Sequence, residues 1–158
     1  MRMQNRNVLF FLTPKSSVDM IYEDETVGQT LERMKDHGYT SYPMINGDSG
    51  KYIGTITQGD ILREITTGDS ILQKALERPI GCIPRQRDYR PVRVSAGIME
   101  LYESAKTQNF IPVTDDSGVF IGIVTRKDIL QALIDDLQGR DASGYVRHMG
   151  RERAKVVV

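Results

Sequence analysis

The chain of 158 residues has a single cysteine, Cys82, so no internal disulfide can form, and no Cys-x-x-Cys or Cys/His cluster points to zinc. A reducing, cytoplasmic setting is the expectation. Its two histidines, His37 and His148, stand far apart without partners at ligand spacing, which fits surface or capping roles rather than metal binding or catalysis. Net charge is lacking too: 21 basic residues balance 21 acidic ones, which removes any global case for a polyanion partner. No apolar run approaches the roughly 18 residues of a membrane span. The run from Val8 to Leu12 is also too short for a signal-peptide core, so no membrane association is expected. No nucleophile, base and orienting group stand at an interpretable spacing, so neither enzymatic activity nor a required cofactor is expected.

What is present is a duplication. Ser49 to Leu62, SGKYIGTITQGDIL, returns as Ser117 to Leu130, SGVFIGIVTRKDIL, with Ser, Gly, Ile, Gly, Thr, Asp, Ile and Leu at matching positions. Each copy runs from a Ser-Gly turn through an apolar strand to a Thr, then through two variable residues to an Asp and an apolar helix. The openings match as well. Thr13-Pro14-Lys15 and Ile83-Pro84-Arg85 both place a basic residue after a proline, and Pro43 in YTSYPMI answers Pro112 in FIPV. With 39% hydrophobic and 27% charged residues the composition is that of an ordinary globular chain. A half of about 60 to 70 residues is marginal alone, so the two halves are expected to share a core. The expected boundaries are residues 8–67 for the first repeat, 68–82 for a linker, 83–138 for the second repeat and 139–158 for a basic tail.

Within the first repeat, Val8 to Leu12 reads as a buried opening and Val18 to Tyr22 as a short strand. Asp24, Glu25 and Thr26 start a helix with Val27, Leu31 and Met34 on its inner face, and His37-Gly38 ends it. The strand from Tyr39 to Ile45 follows, and its Pro43 belongs on an edge or where a ladder bond is absent. In the linker, Ser70 is expected to cap a helix running to Glu77, and Cys82 to be a buried small hydrophobe. In the second repeat, Pro91 to Val94 is a strand, and Ser95 caps a helix with Ile98, Leu101, Tyr102 and Ala105 inward. Gly118 to Val124 is apolar enough to be buried on both faces, and Ile129, Leu130, Leu133, Ile134 and Leu137 carry the last helix.

The recurring Thr-x-x-Asp, Thr57 to Asp60 and Thr125 to Asp128, has two readings. In one, Thr is an N-cap and Asp reaches back as in a capping box. In the other, the unpaired N–H groups of the helix start receive a phosphate while the carboxylate accepts two hydrogen bonds from a ribose diol. Neighbouring apolar strand residues would then sandwich a base.

The order helix, YTSYPMI, turn, YIGTITQGD, followed by its second copy, resembles a tandem pair of CBS domains, a Bateman module, over about Val8 to Leu137. The resemblance implies an α+β fold of two pseudo-symmetric β-α-β-β-α repeats, packed sheet to sheet around a pseudo-twofold axis with two clefts, and a disc-like homodimer. It further implies an adenine-containing ligand such as AMP, ADP, ATP, cyclic di-AMP or S-adenosylmethionine. By this resemblance Asp60 and Asp128 hold ribose hydroxyls, and Thr57 and Thr125 face phosphate, with Arg126 and Lys127 beside the second. Tyr42, Pro43, Ile111 and Pro112 line base pockets, Thr40 and Asn109 read the base edge by backbone groups, and Val18, Arg90 and Val92 close the clefts. Gly59 stands where the second copy has Lys127, so the first site lacks the cation that the second offers a phosphate. Repeats and linker consume nearly all of the chain, so a stand-alone regulatory module acting on an unknown effector protein is expected. The alternative is a nucleic-acid-binding regulator using the basic tail and Arg78, Arg85, Arg87, Arg90 and Arg93. With neither aromatic interleaving nor a recognition helix, that alternative ranks lower.

Overall fold

The structure, a computed structural model, describes residues 6–67 and 71–139. Among the described residues seven strands and six helices follow one another as α1 (Val8–Phe11), β1 (Thr13–Pro14), β2 (Ile21–Tyr22), α2 (Val27–His37), β3 (Ser41–Ile45), β4 (Tyr52–Thr57), α3 (Gln58–Thr67), α4 (Leu72–Glu77), β5 (Val92–Arg93), α5 (Ile98–Ala105), β6 (Phe110–Thr114), β7 (Phe120–Thr125) and α6 (Arg126–Leu137). Short 3-10 turns at Lys15–Ser17 and Ile80–Cys82 lie between them. This is the expected mixed α+β repeat, helix, hairpin and helix occurring twice.

The chain divides into two compact units that exchange their openings in sequence. One holds residues 6–18 with 90–139, so the segment preceding the first copy packs with the second. Its sheet has the order β1-β7-β6-β5. The other holds residues 19–67 and 71–89, with a sheet of order β2-β3-β4. Each unit has its own apolar cluster. Val8, Phe11, Leu101, Ile111, Val124 and Ile129 anchor the first. Ile21, Val27, Met34, Tyr42, Ile56 and Ile61 anchor the second, which Ile80 and Ile83 complete from the segment after α4.

That segment is tied down by backbone bonds to the start of α2: Val27 N–H donates to Arg78 O (2.9 Å), Ile80 N–H to Glu25 O (2.7 Å) and Gly81 N–H to Glu23 O (2.9 Å). Arg85 pairs with Asp88 (2.7 Å), and both side chains lie over Gly54 in β4. In the other unit Thr13 and Leu12 lie over Gly122 in β7, where Thr13 pairs with Ile123 and Pro14 with Gly122. The two glycines are the same residue of the duplicated motif. Each is where a strap crosses a strand too closely for a side chain.

The prolines are tolerated for a reason that the sequence left open. Pro43 lies in the middle strand of its sheet, not on an edge. The bond from Gln58 N–H to Thr40 O puts Thr40 and Tyr42 in the hydrogen-bonded pairs. Pro43 therefore turns its missing donor toward β2, which pairs only with Met44 and Ile45. The bond from Arg126 N–H to Asn109 O places Pro112 in the same way.

Several local expectations are corrected. The first strand after the opening is confined to Ile21–Tyr22, and Val8–Phe11 is a helical turn capped by Asn7. α4 begins after Ile71, and Ser70 lies outside the described residues. Ser95 does not cap α5, whose N-cap is Gly97; its hydroxyl bonds Asp116 instead. Cys82 is exposed, because Ile80 and Ile83 take the inward positions of that turn. On α6 only Ile129 and Ala132 are buried, whereas Leu130, Leu133, Ile134 and Leu137 are exposed, Leu137 to 87%. Conversely Val27 and Leu101 are core residues, as their helical spacing predicts. α2 starts at Thr26 with a complete capping box to Gln29.

The strap crossing yields a test. Replacing Gly122 by Ala puts a Cβ 2.1 Å from Thr13 O at a φ of +156°. The expected cost is about 1–3 kcal/mol, as for an overpacked site, with backbone strain added. Gly59→Ala, two residues into α3, meets only the Thr57 hydroxyl at 3.6 Å and should be neutral or stabilise by up to about 1 kcal/mol. Thermal unfolding of the two variants should separate them in opposite directions.

Candidate functional site

Both Thr-x-x-Asp motifs sit where a strand passes into a helix, β4 into α3 and β7 into α6. In both, the capping geometry is present. The Thr57 hydroxyl accepts from Asp60 N–H (3.2 Å) and donates to Asp60 Oδ2 (2.9 Å). The Thr125 hydroxyl accepts from Asp128 N–H (3.1 Å) and donates to Asp128 Oδ2 (2.7 Å). These hydroxyls are thus engaged by the motif itself, and with the N–H groups of Gln58, Asp60, Arg126 and Asp128 also bonded, the first turns leave a ligand the N–H groups of Gly59 and Lys127 and whatever capacity remains on the carboxylates.

That remaining capacity differs between the copies. Asp60 is 2% exposed, and its Oδ1 accepts from Arg63 Nη2 (2.7 Å) and from Gln86 N–H (3.1 Å). Asp128 is partly exposed, and among the described residues nothing donates to its Oδ1. Neither Arg63 nor Gln86 was among the residues that the sequence singles out. The i, i+3 spacing of Asp60 and Arg63 was a visible signal, whereas a backbone donor arriving from 26 residues away left none.

The first variable position also behaves unlike its reading. Arg126 Nε donates to Ala105 O at the last residue of α5 (2.8 Å), a favourable place for a cation at a helix C-terminus, and so it is not held at the start of α6 for a phosphate. Gln58 makes the matching contact in the first copy, Nε2 to Tyr39 O at 3.3 Å. Lys127 is exposed.

The proposed base-side residues fall into two groups. Tyr42, Ile111 and Val92 are core residues, and the Tyr42 hydroxyl donates to Arg33 O (3.2 Å). Their side chains serve packing and leave only backbone for recognition. Pro43 and Pro112 are buried in the middle strands on the opposite face. In the first copy that face carries Ser41, Pro43, Thr55 and Thr57, and in the second Phe110, Pro112, Ile123 and Thr125. Buried hydroxyls of Thr40 and Ser41 have no hydrogen-bond partner, a polarity that the second copy lacks at Phe110. Asn109 and Thr40 use their carbonyls to receive the first helical N–H of α6 and α3. Arg90 is held through its backbone by Gln108, which accepts from Arg90 N–H (2.9 Å) and donates to Arg90 O (3.1 Å). Val18 is buried at the end of the 3-10 turn.

The segment carrying Gln86 is fixed on both sides. Tyr52 donates to Tyr89 O (2.9 Å), and burial pushes its phenol well above the usual range, so it stays a donor at any physiological pH. The Asp88 hydrogen bond holds the Arg85 guanidinium charged and raises its pKa. Arg78 pairs with Glu64, so two of the five arginines between positions 78 and 93 are neutralised locally. His37 pairs with Asp19 (3.0 Å), the surface role expected of it. His148 and the basic tail beyond Gly139 lie outside the described residues. Among the described residues no group of acidic, His or Cys side chains could hold a metal ion, and no helix is long and apolar enough to cross a membrane.

Known proteins match both copies. The family described as "CBS domain" matches residues 11–67 and 87–135. An uncharacterised protein of Methanocaldococcus jannaschii is 28% identical over 144 residues, covering 73% of this chain and 85% of that protein. The solved structure of CbpB in complex with c-di-AMP is similar at a TM-score of 0.77 and 22% identity, covering 86% of this chain and 89% of that one. That of CBSX2 in complex with AMP is similar at a TM-score of 0.67 and 21% identity, covering 84% and 99%. The structural likenesses speak for the fold, and the family match falls on both halves of the duplication, so this chain belongs to the CBS-domain family as a tandem pair of repeats.

Proposed function

We propose that the chain is a regulatory module that binds an adenine-containing nucleotide through its Thr-x-x-Asp motif and passes the bound state to a partner protein, without catalysis of its own. The observation that carries this reading is Asp128: a partly exposed carboxylate with one oxygen that receives no donor among the described residues, fixed by Thr125 at the start of α6. A carboxylate so placed can accept the two hydroxyls of a ribose, and the Lys127 N–H at the helix start beside it suits a phosphate. The ligands of the two similar structures support the class, since c-di-AMP and AMP have in common adenine, ribose and a phosphate. Lys127 is the cation available at this helix start, because Arg126 is directed to Ala105. The nucleic-acid reading loses ground because Arg78 and Arg85 are already paired.

A ligand that binds only the folded chain stabilises it by about 2.7 kcal/mol at a hundredfold excess over Kd. AMP, ATP or c-di-AMP should raise the melting temperature and GTP should not. Asp128→Asn keeps an acceptor for the Thr125 cap but removes the charge, and affinity should fall about tenfold or more. Unchanged affinity in this variant would overturn the assignment.

The exposed apolar side chains support a homodimer as the working form. Leu62 on α3 is 63% exposed beside an open groove of about 530 Å3 lined by Leu31, Met34, Ile61 and Ile65, and α6 presents Leu130, Leu133, Ile134 and Leu137. Apolar surface of this kind marks association faces. Light scattering should give twice the chain mass, and a double substitution, Leu62→Asp with Leu133→Asp, should give the monomer.

A further inference from the structure

Asp60 and Asp128 hold the same place in the duplicated motif, yet their carboxylates meet different surroundings. A carboxylate offers about four lone-pair sites on its two oxygens. Asp60 has all of them filled from within its own unit. Its Oδ2 accepts from Thr57 N–H (3.0 Å) and the Thr57 hydroxyl (2.9 Å), and its Oδ1 from Arg63 Nη2 (2.7 Å) and Gln86 N–H (3.1 Å). The two donors on Oδ1 have no counterparts in the second copy. Gln131 stands in the place of Arg63 and donates instead to Asp135 Oδ1 (3.0 Å). Ser16 stands in the place of Gln86, inside the 3-10 turn Lys15–Ser17, and makes no bond to Asp128.

We propose that Arg63 and the Gln86 amide form a latch on Asp60 that closes the first motif to a ribose diol, so that the chain takes nucleotide at Asp128 alone until the latch is released. This rests on the nucleotide reading of the motif. The two halves of the latch differ in how they can open. The Arg63 side chain is 42% exposed and can swing into water, leaving Oδ1 with one vacant site. The Gln86 amide cannot leave alone, because its segment is fixed by the Arg85–Asp88 pair and by Tyr52 to Tyr89 O. Arg63 is therefore the gate and the strap its hinge post. The buried Ser41 hydroxyl, which has no hydrogen-bond partner among the described residues, lies in β3 opposite Thr57, the first residue of this motif.

Isothermal titration of the full chain with AMP and with ATP tests the latch. The wild type should show one event per chain, weakened about tenfold or more by Asp128→Asn and unaffected by Asp60→Asn. Arg63→Gln should add a second event, with affinity at the first motif raised about tenfold or more, and Asp60→Asn in that background should remove it again. Arg63→Ala is the second variant, and circular dichroism confirms that each remains folded. A clamp with only a structural role would lower the melting temperature of Arg63→Gln while leaving a single Asp128-dependent event, and that result overturns the latch but spares the proposed function. Loss of wild-type binding in Asp60→Asn also overturns it. Binding of neither nucleotide by any variant removes the nucleotide reading, and the latch with it.

Discussion

The fold depends on a close crossing: in each unit a strap from elsewhere in the sequence passes over the glycine in the middle of the motif strand. Thr13 O lies where a Cβ of Gly122 would be, and the Arg85 guanidinium lies where a Cβ of Gly54 would be. The crossing brings Val8 and Phe11 into one core and Ile80 and Ile83 into the other. A repeat of this size buries too little surface by itself. Borrowing an apolar turn from the neighbouring stretch of chain enlarges each core without lengthening the repeat.

With that scaffold shared, the two copies have diverged on the sheet face away from each cluster. The first carries Ser41, Thr55 and Thr57, and the second Phe110, Ile123 and Thr125. Polarity on the first face recruits polar partners. Tyr52 bonds Thr55 and Tyr89 O, and the strap that follows delivers the Gln86 amide to Asp60. Among the described residues the apolar second face offers nothing comparable, and no donor reaches Asp128 Oδ1. Among the described residues, one motif's carboxylate is bonded on both oxygens and its duplicate's on one.

The last helix shows where periodicity misleads. Ile129, Leu130, Leu133, Ile134 and Leu137 make a wide apolar band, but only Ile129 and Ala132 turn inward. Spacing says which residues share a face. It does not say whether the facing surface belongs to the same chain. In α2 and α5 the inward residues Val27, Met34 and Leu101 follow the spacing, because a strand pair of the same unit stands opposite them.

The duplication, the strand-Thr-x-x-Asp-helix junction and the family followed from the sequence alone, because each rests on local spacing that the backbone converts directly into strands, caps and turns. Thr57 and Thr125 cap as their positions demand, and the prolines recur because both copies need the same non-bonded position. Which Asp is available was not local information. It depends on an arginine one helical turn away and on an amide that only the folded strap carries to Asp60. The side-chain roles of Tyr42, Ile111 and Val92 were likewise set by the sheet, whose pleat turned these residues into the core and the polar set of the first copy away from it. Sequence spacing fixes what alternates along a strand, but burial and hydrogen bonding are decided by what the rest of the chain lays against each face.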